Sequence, residues 1–400
     1  MSQACIPTLT AIVAASPTQQ WHPSSQHQLI DQLNGLCLST TAILPKACSL
    51  TSNQKLPFCN QSTSFADRAH DLIARVANNT LKAQQLAASA GARYGPLGFP
   101  ELGVAGPAYS EALHGAVCGC ISPTQCPSSF PHALLLGASF NRSLFEHVGD
   151  AIGLEARAIA NTGSRCGPLL WAPNINLMRD PRWGRAMEVP GEDPLLTAEY
   201  ASRYIYTLQY GRGANASSTG YQRVASQTKH FLVYNLEGHF NEYPSRGSYD
   251  AANVSDYDLS SYYLHPWRAA VQKGVNRGVM CSVNRLNGVP ACASERMTQS
   301  ILRGSYHMEG AVVTDGGACT DPNFQTYVTQ KYGKFTPNAA VKECFGGGVS
   351  SELGALLFDS SVSALAAEDI TQATLDTAVE ELYTVIATRV RVGPGVWGGD

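Results

Sequence analysis

An α/β fold is predicted, a (β/α)8 TIM-like barrel with room for an irregular or incomplete ring. Three observations predict it. Short apolar runs alternate with helical patterns over roughly 250 residues, which calls for a parallel sheet covered by helices. Polar residues gather where each strand candidate ends: Asn174 and Asn176, Lys229 and His230, Ser282 and Asn284, and Asp315. In a barrel all these ends open on one face, so the clusters converge on one pocket. A doubly wound sheet would instead show a glycine-rich phosphate turn after an early strand; Gly346-Gly347-Gly348 comes late and follows a helical pattern.

In chain order, residues 1–55 read as a poorly structured leader, residues 56–345 as the barrel, and residues 346–400 as a helical segment and linker. Ala4 to Ser16 is mildly apolar, but Pro7 and Pro17 interrupt it and no Lys or Arg precedes Lys46, so it makes a weak signal peptide. Ala66 to Ala90 is helical in pattern. His132 to Phe140 contains a strand-like Ala-Leu-Leu-Leu-Gly. Leu144, Val148, Ile152 and Ile159 share one face of a helix over 144–160. Leu169 to Leu177 reads as a strand, Leu195 to Gln209 as a helix, Val224 to Tyr234 as a strand and Leu259 to Gln272 as a helix. Gly278 to Val283 is a strand and Met297 to Leu302 a short helix. The run Ala311-Val312-Val313-Thr314 is a buried strand that ends on Asp315, with Gly316 and Gly317 closing it. On local sequence Asp315 suits either a turn cap or a carboxylate held rigidly for chemistry. Leu375, Val379, Leu382, Ile386 and Val390 form one face of a last helix before a Gly- and Pro-rich ending.

The chain has 400 residues, 44% hydrophobic and only 15% charged, with a net charge of −3. That supports a large core and gives no electrostatic basis for binding nucleic acid or an anionic membrane; no apolar run reaches the length of a spanning helix. Nothing in the sequence calls for a metal or cofactor, and nothing fixes an oligomeric state. The 12 cysteines, together with Asn-x-Ser/Thr sequons at Asn60, Asn78, Asn141, Asn215 and Asn253, favour an extracellular, secreted protein. Cys281 and Cys292 flank a turn-rich segment suited to a disulfide loop. Cys118, Cys120 and Cys126 admit a metal reading, but no Cys/His pair follows at zinc spacing, which favours disulfides or free thiols.

Four motifs occur in order ahead of the Asp315 strand: Ser110-Glu111-Ala112-Leu113-His114-Gly115; Arg179-Asp180-Pro181-Arg182-Trp183-Gly184-Arg185 with Pro190-Gly191-Glu192-Asp193-Pro194; Thr228-Lys229-His230-Phe231; and Met280-Cys281-Ser282-Val283-Asn284 with Asn287-Gly288-Val289-Pro290. Together with Val-Val-Thr-Asp, the set resembles glycoside hydrolase family 3, closely its fungal β-xylosidase branch, from about Asp67 to Leu382. The resemblance implies a retaining exo-glycosidase that releases β-linked xylose from the ends of xylo-oligosaccharides. It implies Asp315 as the nucleophile, since a carboxylate forms a covalent glycosyl-enzyme. Glu111, Arg185, Lys229, His230 and Asn284 become substrate-binding residues: the ammonium offers three donors, and an imidazole both donates and accepts. Arg179 and Arg182 brace their loop. Glu111 replaces the Asp of many β-glucosidase relatives, and its extra methylene crowds a hexose hydroxymethyl group, which favours a pentose.

The chain departs from the branch at several points. Val283 stands where a Tyr is usual, Gly316-Gly317-Ala318 follows the nucleophile where Cys-Asp-Ala is typical, and Gly346-Gly347-Gly348-Val349 replaces a Gly-x-Asp segment. Retaining hydrolysis needs a second carboxyl group about 5–5.5 Å from the first. In the family that acid/base comes from a C-terminal α/β domain, and the expectation is that this chain stops where that domain begins. His239 and Glu237 are the local alternatives, while Glu192 braces its loop. The competing expectation is a catalytically impaired or truncated member that binds sugar or has no independent activity.

Overall fold

The structure, a computed structural model, describes residues 47–88, 98–161, 166–214, 222–238 and 245–387. His239, Asn215, Val390 and the leader up to residue 46 lie outside the described residues.

Residues 47–55, assigned to the leader, are folded. The Cys48–Cys59 disulfide closes them, and the buried Asn53 amide donates to the carbonyls of Ala47 and Leu102 at 2.8 and 2.9 Å. Two helices follow, α1 (Phe65–Ala74) and α2 (Asn79–Gln85), where one long helix was expected. Ser64 and Asn78 each cap a helix start with their side chains, so local capping chemistry splits the pattern.

Strands β1 (Tyr109–Glu111), β2 (Leu169–Trp171) and β3 (Ala225–Ser226) are parallel neighbours in that order. A second parallel set has the order β4 (Thr228–Phe231), β6 (Gly278–Cys281), β9 (Ala311–Thr314). The parallel bridge Asn174↔Lys229 joins the two sets, and Val313↔Ser351 and Ala87↔Glu352 extend the far edge, all parallel. One parallel ladder thus runs from β1 through seven chain segments to Ala87; among the described residues it does not close into a ring. The ladder continues through Ser351 and Glu352, beyond the expected barrel end at residue 345. The Ser351 and Glu352 amides complete it: Thr314 N–H donates to Ser351 O at 3.0 Å, and Glu352 N–H to Leu86 O at 2.7 Å. A small separate sheet sets β7 (Arg285–Leu286) between β5 (Asp250–Ala251), parallel, and β8 (Val289–Pro290), antiparallel.

Inside the ladder's curve Ala88, Trp171, Met280 and Val313 pack together, with Tyr109 and Leu353 against them. These residues come from opposite ends of the ladder, so its concave face is filled by side chains as in a layered barrel core. Outside it, α4 (Arg142–Asn161) and α5 (Pro194–Tyr210) pack on each other; Val148, Ile152 and Ile159 are buried there, as the helical spacing predicts. The helix α10 (Gln372–Ala387) buries Leu375, Val379, Leu382 and Ile386 in the main core.

Two expectations fail locally. The Ala-Leu-Leu-Leu-Gly run is helix α3 (Ala133–Ala138), not a strand: Ala133, Leu136 and Gly137 are buried while Leu135 is 65% exposed, the i, i+3, i+4 spacing of one helical face. Its Gly137 backs directly onto the 186–190 loop, since a Cβ there would lie 1.9 Å from Pro190 O. The Leu169–Leu177 strand stops at Trp171, because Pro173 cannot donate to a ladder.

Cys118 pairs with Cys166, and Cys120 with Cys126, which removes the metal reading of that cluster. Cys281–Cys292 forms as expected, and Cys319–Cys344 is a further bridge.

Candidate active site

Because the ladder is parallel, its strands deliver their last residues to one side. Glu111 ends β1, Lys229 and His230 lie in β4, and Asp315 follows β9. Arg185 comes from the loop after β2.

The Lys229 ammonium is almost fully buried and donates to both Glu111 carboxylate oxygens, at 2.8 and 2.7 Å. Glu111 is 41% exposed, so the pair has its acid at the pocket mouth and its base inside. Arg185 grips Glu188 with two parallel hydrogen bonds of 2.8 Å, and Asn174 Nδ2 donates to Glu188 Oε2 at 3.1 Å. Burial disfavours the Arg185 charge, but the Glu188 hydrogen bonds outweigh it and raise the guanidinium above its usual range. For Glu188 burial pulls upward, yet the Arg185 hydrogen bonds and charge win and hold the carboxyl low.

Asp315 has different surroundings. Its backbone N–H donates to Cys281 O at 2.9 Å, fixing it to the end of β6. Gly316 N–H donates to Oδ1 at 2.7 Å. Oδ2 is buried without a hydrogen-bond partner among the described residues, and His230 Nε2 lies 3.9 Å away. Gly317, at φ +73, makes the tight turn that this loop needs. His230 is buried, and desolvation first, then the charges of Arg185, Lys229 and Arg246, push its imidazole well below the usual range. The imidazole is therefore neutral.

The Asp315 charge also reaches Tyr234 and Asp321. Tyr234 packs 5.1 Å from the His230 ring and donates to Glu237, whose other oxygen accepts from Arg246 at 3.3 Å. Burial, then that carboxylate, push the Tyr234 phenol up. Asp321 caps helix α7 (Pro322–Tyr332) through Oδ1, and burial pushes its carboxyl up to about 7.

The structure thus gathers Glu111, Lys229, His230, Asp315 and Arg185. Asn284 does not join them. It is fully buried, and its Nδ2 donates to the carbonyls of Leu232, Val233 and Arg285 at 3.1–3.4 Å, so it braces backbone. Arg182 pairs with Asp180 at the surface, and Arg179 lies over the Tyr262 and Tyr263 rings, which fits their bracing role. Sequence reasoning missed Glu188, although it stands only three residues after Arg185. It also passed over Asp321, whose signal was an Asp-Pro pair at a helix start.

Residues 111–383 match the glycosyl hydrolase family 3 N-terminal domain. The chain belongs to glycoside hydrolase family 3. Within the family it is 34% identical to beta-D-xylosidase 3 of Arabidopsis thaliana over 358 residues, 87% of this chain and 43% of that one. It is 36% identical to a probable exo-1,4-beta-xylosidase, bxlB, of Aspergillus clavatus over 356 residues, 84% of this chain and 42% of that one. Among solved structures it resembles a family 3 exo-beta-xylosidase, XlnD, in complex with a xylobiose aziridine activity-based probe. The TM-score is 0.74 with 28% identity, covering 87% of this chain and 42% of that one. The chain spans less than half the length of these relatives.

Proposed function

We propose that this chain forms the nucleophile-bearing half of a retaining exo-glycosidase for β-linked xylose, with Asp315 as nucleophile. The observation that carries the reading is the unpartnered, buried Asp315 Oδ2 beside a neutral His230, flanked by cations paired with other carboxylates. An oxygen free of hydrogen bonds keeps its lone pairs for attack on an anomeric carbon. In that step the Asp315–carbon bond forms, the glycosidic carbon–oxygen bond breaks, and water later hydrolyses the ester. Glu111, Lys229, Arg185 and His230 hold sugar hydroxyls, and Glu111 at the mouth selects a pentose. The curved ladder is the irregular (β/α)8 barrel that carries them. The disulfides fit secretion, and the sequons at Asn60, Asn78, Asn141 and Asn253 lie on exposed residues.

The proton donor is the weak point of this half. Among the described residues Glu188 serves Arg185, Glu111 serves Lys229, Glu237 serves Tyr234 and Arg246, and Asp321 caps a helix through Oδ1. We therefore expect the chain to glycosylate Asp315 only from substrates whose leaving group needs no proton. A burst of dinitrophenol from 2,4-dinitrophenyl β-xyloside, with xylobiose hydrolysed at least about 10²-fold more slowly, is the expected result. Equal rates on both would show that the chain supplies an acid of its own. No burst together with measurable xylose binding would favour the impaired, sugar-binding reading.

A further inference from the structure

We propose that Asn176 is a positioning residue that fixes the neutral His230 ring as its Nδ1–H tautomer, so that Nε2 accepts a hydrogen bond from a substrate hydroxyl. The tautomer follows from the backbone. His230 N–H donates to Asn176 Oδ1 at 2.9 Å, and Asn176 Nδ2 donates to His230 O at 2.8 Å. A backbone N–H only donates and a carbonyl only accepts, so this reciprocal pair leaves no freedom over which end of the amide is oxygen. The same Oδ1 lies 3.3 Å from His230 Nδ1. Two facing lone pairs would repel, so Nδ1 carries the proton and Oδ1 accepts twice. The competing partner, Asp315 Oδ2, stands 3.9 Å from Nε2, beyond hydrogen-bond reach. Asn176 is itself held, since its N–H donates to Asn174 Oδ1 at 3.1 Å.

The consequence is a gap with an acceptor on each side, Nε2 on one and Oδ2 on the other. It accommodates a donor, and an unionised hydroxyl supplies one. This polarity rests on the proposed sugar pocket; the tautomer does not. Burial lowers the imidazole's affinity for a second proton, which keeps the ring in this acceptor state.

The test is long-range 1H–15N correlation on the full chain with 15N-labelled histidine at neutral pH. The expected pattern is a pyrrole-type nitrogen at Nδ1 and a pyridine-type nitrogen at Nε2 of His230. Asn176→Leu removes the acceptor and moves the proton to Nε2, facing Asp315. An Nε2–H or doubly protonated ring in the native chain overturns the proposal, as does an unchanged pattern in Asn176→Leu. If Asn176→Leu does not fold, the native spectrum still decides. Methyl β-xyloside and its monodeoxyfluoro analogues then test the polarity: one analogue binds about five- to tenfold more weakly and alone leaves the Nε2 signal unmoved. If methyl β-xyloside does not bind at all, the sugar reading fails while the tautomer stands or falls on the spectrum. If it binds and every fluoro analogue matches it, the acceptor assignment fails.

Discussion

The two sides of the pocket are built on opposite principles. On the Glu111 and Arg185 side each cation is paired with a carboxylate and keeps further N–H donors: Lys229 holds both Glu111 oxygens, and Arg185 holds both Glu188 oxygens. On the Asp315 side the carboxylate keeps one buried oxygen without a partner, beside an imidazole that burial keeps neutral. Ion pairs held by two hydrogen bonds fix geometry, because each leaves few alternative arrangements. An unsatisfied buried oxygen costs stability and keeps reactivity, a trade seen at functional sites generally.

The sharpest way to break this contrast is Asp315→Asn. It keeps the shape and removes the nucleophile. Release of dinitrophenol from the activated xyloside is expected to fall by about 10³-fold or more, while the melting temperature holds or rises. A drop in melting temperature would put Asp315 on the structural side of the comparison instead.

Glu111→Ala tests the ion-paired side. It strands the buried Lys229 charge and is expected to destabilise by about 2 kcal/mol in denaturant titration, less than a fully buried pair because Glu111 is half open to water. Glu188→Gln is expected to act more gently. Arg185 keeps one hydrogen bond and loses its counter-charge, so KM for the xyloside rises about tenfold with kcat changed less.

The smallest effect is in pH. His230 has a folded pKa depressed below 6.5, so its contribution to stability is present above that value and is lost as pH falls below it. Asp321 has a folded pKa of about 7 against 3.8, so its contribution is present below 3.8 and is lost as pH rises through 7. The two oppose each other. Asp321→Asn is expected to flatten the alkaline decline and leave the acid decline in place, read from melting temperatures across pH 4 to 8.

Much of this was legible because chemistry sits at strand ends. Glu111, Lys229, His230 and Asp315 are contiguous with apolar runs or motifs, and parallel strands alone bring such ends together. What was not legible depends on backbone paths between segments. Asn284 looks like its neighbours in sequence, yet it supports the carbonyls of Leu232 and Val233 across the sheet. Asn176 was seen as polar, but its reciprocal pairing with His230 exists only once β2 and β4 lie side by side. Ser351 and Glu352 carry no apolar signal and follow the Gly346-Gly347-Gly348 run, so their place in the ladder was hidden. The 133–138 run was too short for periodicity to separate helix from strand.

Asp315 is proposed as the nucleophile on the strength of its unpartnered, buried Oδ2. The most direct measurement is mass spectrometry of the chain after incubation with 2,4-dinitrophenyl 2-deoxy-2-fluoro-β-xyloside, which traps the glycosyl ester without needing an acid catalyst. One fluoroxylosyl group per chain is expected, on the peptide that contains Asp315 and absent from Asp315→Asn. Labelling of another carboxylate, or no labelling of a folded chain that binds methyl β-xyloside, would contradict it.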